Sequence, residues 1–129
     1  MSEKRRILLV DDDPAVTELL ELRLDSWFDV AVTNDPRDVL PLALAMRPDA
    51  VVCDIDMPEM DGGEVCRALA DEPRTAGIPF LYLTAMVSMG EVDDLHGEVG
   101  GRPGISKSAP VKEIAQRIHA AIDRATGGR

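Results

Sequence analysis

At 129 residues, with 45% hydrophobic and 29% charged side chains, the chain has the size and composition of one compact soluble domain. Its formal net charge of −10 repels nucleic-acid phosphates and argues against direct DNA or RNA binding. No apolar run approaches the roughly 20 residues of a membrane helix, and the apolar run after the basic start Lys4-Arg5-Arg6 is too short for a signal peptide, so no membrane contact and a cytoplasmic location are expected.

The elements alternate between strand and helix along the chain. Ile7 to Val10 is a continuous apolar run, the mark of a strand covered on both faces. Asp13 caps the following helix with Pro14 at its first position, and Val16, Leu19, Leu20, Leu24 and Trp27 form its inner stripe. Phe28 to Val32 reads as a second strand. Asn34-Asp35-Pro36 opens a second helix to about Met46, in which Pro41 imposes a kink or a late start. After the turn Arg47-Pro48-Asp49, Ala50 to Asp54 is the third strand, and Glu64 to Asp71 is a short helix carrying Val65 and Leu69. Phe80 to Thr84 is the fourth strand.

A weak helix is expected next, with Val92, Leu95 and Val99 inward and Gly90, Gly97, Gly100 and Gly101 around it. Ile105 to Lys107 reads as a brief fifth strand. Pro110 starts the last helix, with Ile114, Ile118, Ala121, Ile122 and Ala125 inward and Gly127-Gly128 at its end. Repeated βα units of this size imply an open, doubly wound parallel sheet with helices on both faces, an α/β fold. Cys53 and Cys66 have no metal-ligand spacing and read as buried thiols, not a disulfide pair.

The chemistry sits at the strand ends. Asp11 and Asp12 end the first strand, Asp54 the third, Thr84 the fourth and Lys107 the fifth. The carboxyl ends of parallel strands share one edge, where ligands bind. Clustered carboxylates suit Mg²⁺, which takes one or two of them together with water and phosphate oxygens. A screened carboxylate there can act as a nucleophile toward a phosphoryl group, while a hydroxyl and an ammonium take its oxygens. Helix capping accounts for Asp13 and partly for Asp12. It does not account for Asp54, which precedes a loop, or for Lys107.

The strings Ile7-Leu8-Leu9-Val10-Asp11-Asp12-Asp13-Pro14, Asp54-Ile55-Asp56-Met57-Pro58-Glu59-Met60-Asp61-Gly62, Leu83-Thr84-Ala85 and Lys107 resemble the receiver domain of two-component response regulators, over nearly the whole length. The resemblance implies a flavodoxin-like five-stranded parallel sheet of order 2-1-3-4-5. Residues 1–129 leave room for a single receiver domain with no output domain, either a stand-alone receiver or a segment of a longer regulator. The resemblance further implies that Asp54 accepts phosphate from a sensor histidine kinase or phosphotransfer protein in a phosphorelay. Asp12 and Asp54 would ligate Mg²⁺ or Mn²⁺, Asp11 would act through water, and the Asp56 backbone carbonyl would complete the set. Thr84, Ala85 and Lys107 would hold the phosphoryl group. Such a domain is a signalling phospho-acceptor with self-phosphotransfer and autodephosphorylation only. It acts by contact with a downstream protein, as a monomer or weak homodimer.

Two positions depart from the family pattern. Gly104 stands where receivers usually carry an aromatic switch residue, three positions before the lysine, and Ser108 stands where proline usually follows it. A non-proline cis bond costs about 2.5–4 kcal/mol, so a trans Lys107–Ser108 bond is expected, with Lys107 displaced or its loop loosened. The relay would then run through Thr84 toward the Met86-to-Gly90 region. The Asp56 side chain would border the phosphorylation site and adjust phospho-form lifetime. Met57, Met60, Met86 and Met89 crowd the surrounding loops, and His96 and His119 read as surface or partly packed residues. Two other functions compete with this reading. One is a phosphorylation-independent binding module, prompted by Gly104 and Ser108. The other is a haloacid-dehalogenase-like phosphatase, prompted by Asp54-Ile55-Asp56, although that motif belongs on a first strand and here follows the third.

Overall fold

The parity of the apolar residues organises the molecule. A computed structural model describes residues 4–55, 57–58, 60–84, 98–99 and 102–127. Five parallel strands, β1 (Arg5–Val10), β2 (Phe28–Thr33), β3 (Ala50–Asp54), β4 (Phe80–Thr84) and β6 (Arg102–Ser106), run in the spatial order β2-β1-β3-β4-β6. This is the 2-1-3-4-5 order of a flavodoxin-like sheet. A two-residue strand, β5 (Glu98–Val99), adds an antiparallel edge to β6. The helices among the described residues are α1 (Pro14–Leu24), α2 (Val39–Met46), α3 (Gly62–Asp71) and α4 (Val111–Gly127).

Alternate residues of each strand face opposite layers. Ile7, Leu9, Val52, Leu81, Leu83 and Ile105 pack with α1 and α4 through Leu20, Leu24, Ile114, Ile118 and Ile122. Leu8, Val10, Val51, Cys53, Phe80 and Tyr82 pack with α2 and α3 through Val39, Ala43, Val65 and Leu69. Both faces are covered, which is why these strands read as unbroken apolar runs.

Local chemistry sets the helix boundaries. Asp13 Oδ1 accepts from the Ala15 N–H, with Pro14 at the first helical position. Leu20 and Leu24 are buried as expected, with Val16 and Trp27 packed against them, but Leu19 is 50% exposed and lies outside the inner stripe. Thr17 takes a buried place in its stead. Pro41 delays α2 and does not kink it. Asp35 caps a single 3-10 turn, Pro36–Asp38, and the α-helix then starts at Val39, so Pro41 falls in its first turn, where a missing N–H costs nothing. Asp61 caps α3 by accepting from the Glu64 N–H, and the helix begins at Gly62, two residues before the sequence boundary.

The last strand differs most. It begins at Arg102, not Ile105, and ends at Ser106, with Lys107 in the turn beyond. Pro103 and Gly104 are poor strand formers, but this strand borders only the short β5 on its outer side, a position that tolerates them. Val99 lies in β5, not in a helix. The rest of the expected helix, with Val92 and Leu95, lies outside the described residues, as do Met86, Met89 and His96.

At the far edge of the sheet, Arg5 fastens β1 to α4. Its guanidinium pairs with Asp123 and donates to the His119 carbonyl and to Nδ1 of His119, both at 3.2 Å. The His119 ring is half-buried and stacks on Phe28 with centroids 4.5 Å apart. Burial first, and then the Arg5 charge, hold its pKa below the usual histidine value. The folded state therefore prefers neutral His119, and the unfolded chain takes up the proton first as pH falls below about 6.5. The His119 contribution to stability is full above that pH and is lost as pH drops through the lowered folded value. Accordingly, the stability advantage of wild type over His119→Phe, read by urea unfolding, should shrink between pH 7.5 and pH 5.5. A pH-independent difference would contradict this account.

Candidate functional site

Strand parity and register bring the polar strand ends together. Val10 is paired with Cys53, so Asp11 and Asp54 each lie one residue further along adjacent strands. Both follow the parity of Leu9 and Val52, on the α1 and α4 side. Asp11 and Asp54 are buried and Asp12 is exposed, and their ligand oxygens lie within 4.8 Å of one another. Lys107 follows the parity of Ile105 and reaches back across the sheet. Its Nζ is 2.7 Å from Asp11 Oδ2 and 3.0 Å from Asp54 Oδ1.

Thr84, also buried, ends β4 in register with Ser106, and its carbonyl accepts from the Lys107 N–H at 2.9 Å. Its side chain follows the opposite parity, that of Phe80 and Tyr82. Asp11, Asp12, Asp54 and Lys107 are thus brought together as the sequence suggested, with Thr84 on the neighbouring strand end. Asp56 and Ala85 lie outside the described residues. Gly104 is buried inside β6, beside Tyr82 in the register. The Lys107–Ser108 bond is trans, and Lys107 nevertheless meets both carboxylates.

Three carboxylates against one ammonium leave the cluster two negative charges in excess. The titration of Asp54 reflects burial first and that excess second. Burial raises its pKa, and although the Lys107 hydrogen bond pulls it down, the charges of Asp11 and Asp12 help hold it above the usual carboxylate value. Burial acts to lower the Lys107 pKa, but the close Asp11 and Asp54 carboxylates that face its ammonium outweigh it and hold the pKa above its usual value. Asp11 Oδ2 is shielded from solvent and faces the Lys107 ammonium at 2.7 Å. The donor set of hard oxygens and the charge excess fit a divalent cation such as Mg²⁺.

Several supports were not evident in the sequence. Asn34, read there only as a helix opener, donates from Nδ2 to the Asp11 carbonyl at 2.8 Å and to Thr17 Oγ1 at 2.9 Å. It locks the chain at the first strand end. The Asp13 N–H donates to Asp11 Oδ1 at 3.0 Å. Gly62 at the head of α3 sits against the end of β3, where an added Cβ would be 2.7 Å from the Asp54 carbonyl oxygen. A polar residue directly after β2 and a glycine directly after Asp61 were the available signals. Neither specifies its partner without the fold.

The response regulator receiver domain family matches residues 7–119. The chain belongs to this family. Among curated relatives it is 41% identical over 125 residues to response regulator MprA of Mycolicibacterium vanbaalenii, covering 94% of this chain and 52% of that protein. It is 35% identical over 122 residues to RpaA of Synechocystis sp., named as a DNA-binding dual master transcriptional regulator, covering 92% of this chain and 49% of that one. The chain therefore spans about half the length of the curated relatives it matches. In structure it is similar to a putative response regulator from Chloroflexus aurantiacus, with a TM-score of 0.79 and 27% identity over 95% of this chain and all of the other. Receiver domains of this family are signalling domains of two-component systems. Membership removes the ground for the phosphatase reading. No helix among the described residues is long and apolar enough to cross a membrane.

Proposed function

We propose that this chain is a phospho-accepting receiver whose acceptor is Asp54. The observation that carries this reading is Lys107 Nζ lying within 3.0 Å of both Asp54 and Asp11 at the carboxyl edge of the sheet. An Asp54 oxygen attacks the phosphorus of a phosphohistidine on a sensor histidine kinase or phosphotransfer protein. The new O–P bond forms as the P–N bond breaks, and the donor imidazole leaves and takes up a proton. Water later cleaves the acyl phosphate and regenerates the carboxylate.

Lys107 neutralises one phosphoryl oxygen, and the Thr84 hydroxyl, with the backbone beside it at Ala85, takes another. A bound Mg²⁺ or Mn²⁺ held by Asp12 and Asp54, by Asp11 through water and by the Asp56 carbonyl would supply charge neutralisation for the transferring group. Asn34 and the Asp13 N–H keep Asp11 in place. Residues 1–129 act as one cytoplasmic receiver domain, and the net charge of −10 favours output by protein contact over direct DNA contact.

Incubation with acetyl phosphate and Mg²⁺ should add one phosphoryl group per chain, detected by intact mass, and Asp54→Ala should abolish it. Failure of the wild-type chain to take phosphate from acetyl phosphate, phosphoramidate or a cognate kinase would sink the reading.

A further inference from the structure

Lys107 keeps its reach without a following proline, and the chain around it shows how. Its own N–H donates to the Thr84 carbonyl at 2.9 Å. On its other side, the Ser108 N–H donates to Ser106 Oγ at 3.2 Å, and the Ser106 and Ser108 hydroxyls are hydrogen-bonded to each other at 2.9 Å. The Ala109 N–H closes the turn on the Ser106 carbonyl at 3.1 Å. The two peptide groups flanking Lys107 are therefore tied down, one to the Thr84 carbonyl and the other to the Ser106 hydroxyl.

We propose that Ser106 and Ser108 are positioning residues, whose hydroxyl bridge sets the backbone of Lys107 so that its ammonium falls on the Asp11–Asp54 pair. This rests on the receiver reading above for its consequence in phosphoryl transfer. A lysine side chain carries about 2 kcal/mol of rotamer entropy, so a fixed point of departure from the backbone matters for placing its ammonium between two carboxylates. The bridge does in a trans chain what a ring after the lysine would do by constraint, and it uses two hydroxyls placed one residue either side of Lys107.

Ser108 is exposed and Ser106 buried, so the test works on Ser108, where substitution leaves the core intact. Ser108→Thr keeps the hydroxyl and adds a methyl group, and Ser108→Val, near-isosteric with threonine, adds the same bulk without the hydroxyl. With acetyl phosphate and Mg²⁺, Ser108→Val should slow labelling about three- to tenfold, the worth of one hydrogen bond, while Ser108→Thr labels like wild type. In a Lys107→Met background Ser108→Val should change nothing further, because the bridge acts through that ammonium. The same cycle read by urea unfolding should be non-additive by at least about threefold in the unfolding constant, whether or not phosphate is accepted. Additive effects in the unfolding cycle, or a Ser108→Val rate equal to wild type, overturn the inference. An unlabelled wild-type chain with a coupled unfolding cycle overturns the receiver reading and leaves the bridge standing.

Discussion

Lys107→Met should slow phosphorylation of Asp54 by roughly 10²-fold while strengthening Mg²⁺ binding. Methionine keeps the length and apolar stem of the side chain and removes the charge that sits 2.7 Å from Asp11 and 3.0 Å from Asp54. Loss of one preorganised charged donor at a developing oxyanion costs about 10²- to 10³-fold in comparable sites. The lower figure is expected because Lys107 is partly exposed and water can replace part of its field. The second effect has the opposite sign. The ammonium occupies carboxylate oxygens and repels another cation, so its removal leaves three carboxylates with no resident counter-charge. Labelling rates at saturating Mg²⁺, set beside calorimetric Mg²⁺ titration, check both. A slower rate caused by weaker metal binding would contradict the assignment, because Lys107 would then be supporting the metal shell and not the phosphoryl oxygens.

Gly62→Ala should destabilise the fold by about 1–3 kcal/mol, the range for forcing extra carbon into a packed site. The added Cβ would lie 2.7 Å from the Asp54 carbonyl oxygen and 3.1 Å from Ile55 Cα, both backbone atoms that cannot swing aside. Relief requires moving the head of α3 away from the end of β3, which loosens the 2.8 Å bond from the Gly62 N–H to the Ile55 carbonyl. The acceptor strand end moves with it, so phosphorylation should slow as well.

Gly63→Ala is the control. Its Cβ would meet the side-chain Oδ1 of the Asp61 cap at 3.2 Å, a contact that can give. The exchange of glycine for alanine in a helix offers up to about 1 kcal/mol in return. Urea denaturation should therefore show Gly62→Ala well below wild type and Gly63→Ala at or above it. Equal effects at the two positions would remove the close approach as the cause.

The strands and most helices were legible because their signals are local. Burial on both faces writes unbroken apolar runs into β1, β3 and β4, and the Asp13 side-chain cap announces α1. The misjudged features are those in which a neighbour overrides local preference. Pro103 and Gly104 belong to a strand because β6 gains its pairing from β4 and lies near the edge of the sheet. Leu19 is exposed although it fits the apolar period of α1, and Thr17 is buried because it accepts from Asn34 across the β2 turn. A helical period tells which residues share a face and not how wide the covered stripe is.

The sequence by itself determined the chemistry on offer. Asp11, Asp12, Asp54, Thr84 and Lys107 stand at the ends of apolar runs, and parallel strands deliver run ends to one edge, so their assembly follows from chain order and period. The family was readable for the same reason. Only the tertiary structure decided how the assembly is held. Asn34 locks Asp11 from 23 residues away, Gly62 leaves room for the Asp54 carbonyl, and Ser106 with Ser108 brackets a lysine that has no proline after it. The Asn34 and Gly62 contacts join segments whose separation is set by the packing of helices on the sheet. Such a distance depends on the whole core at once, and no local run of residues encodes it.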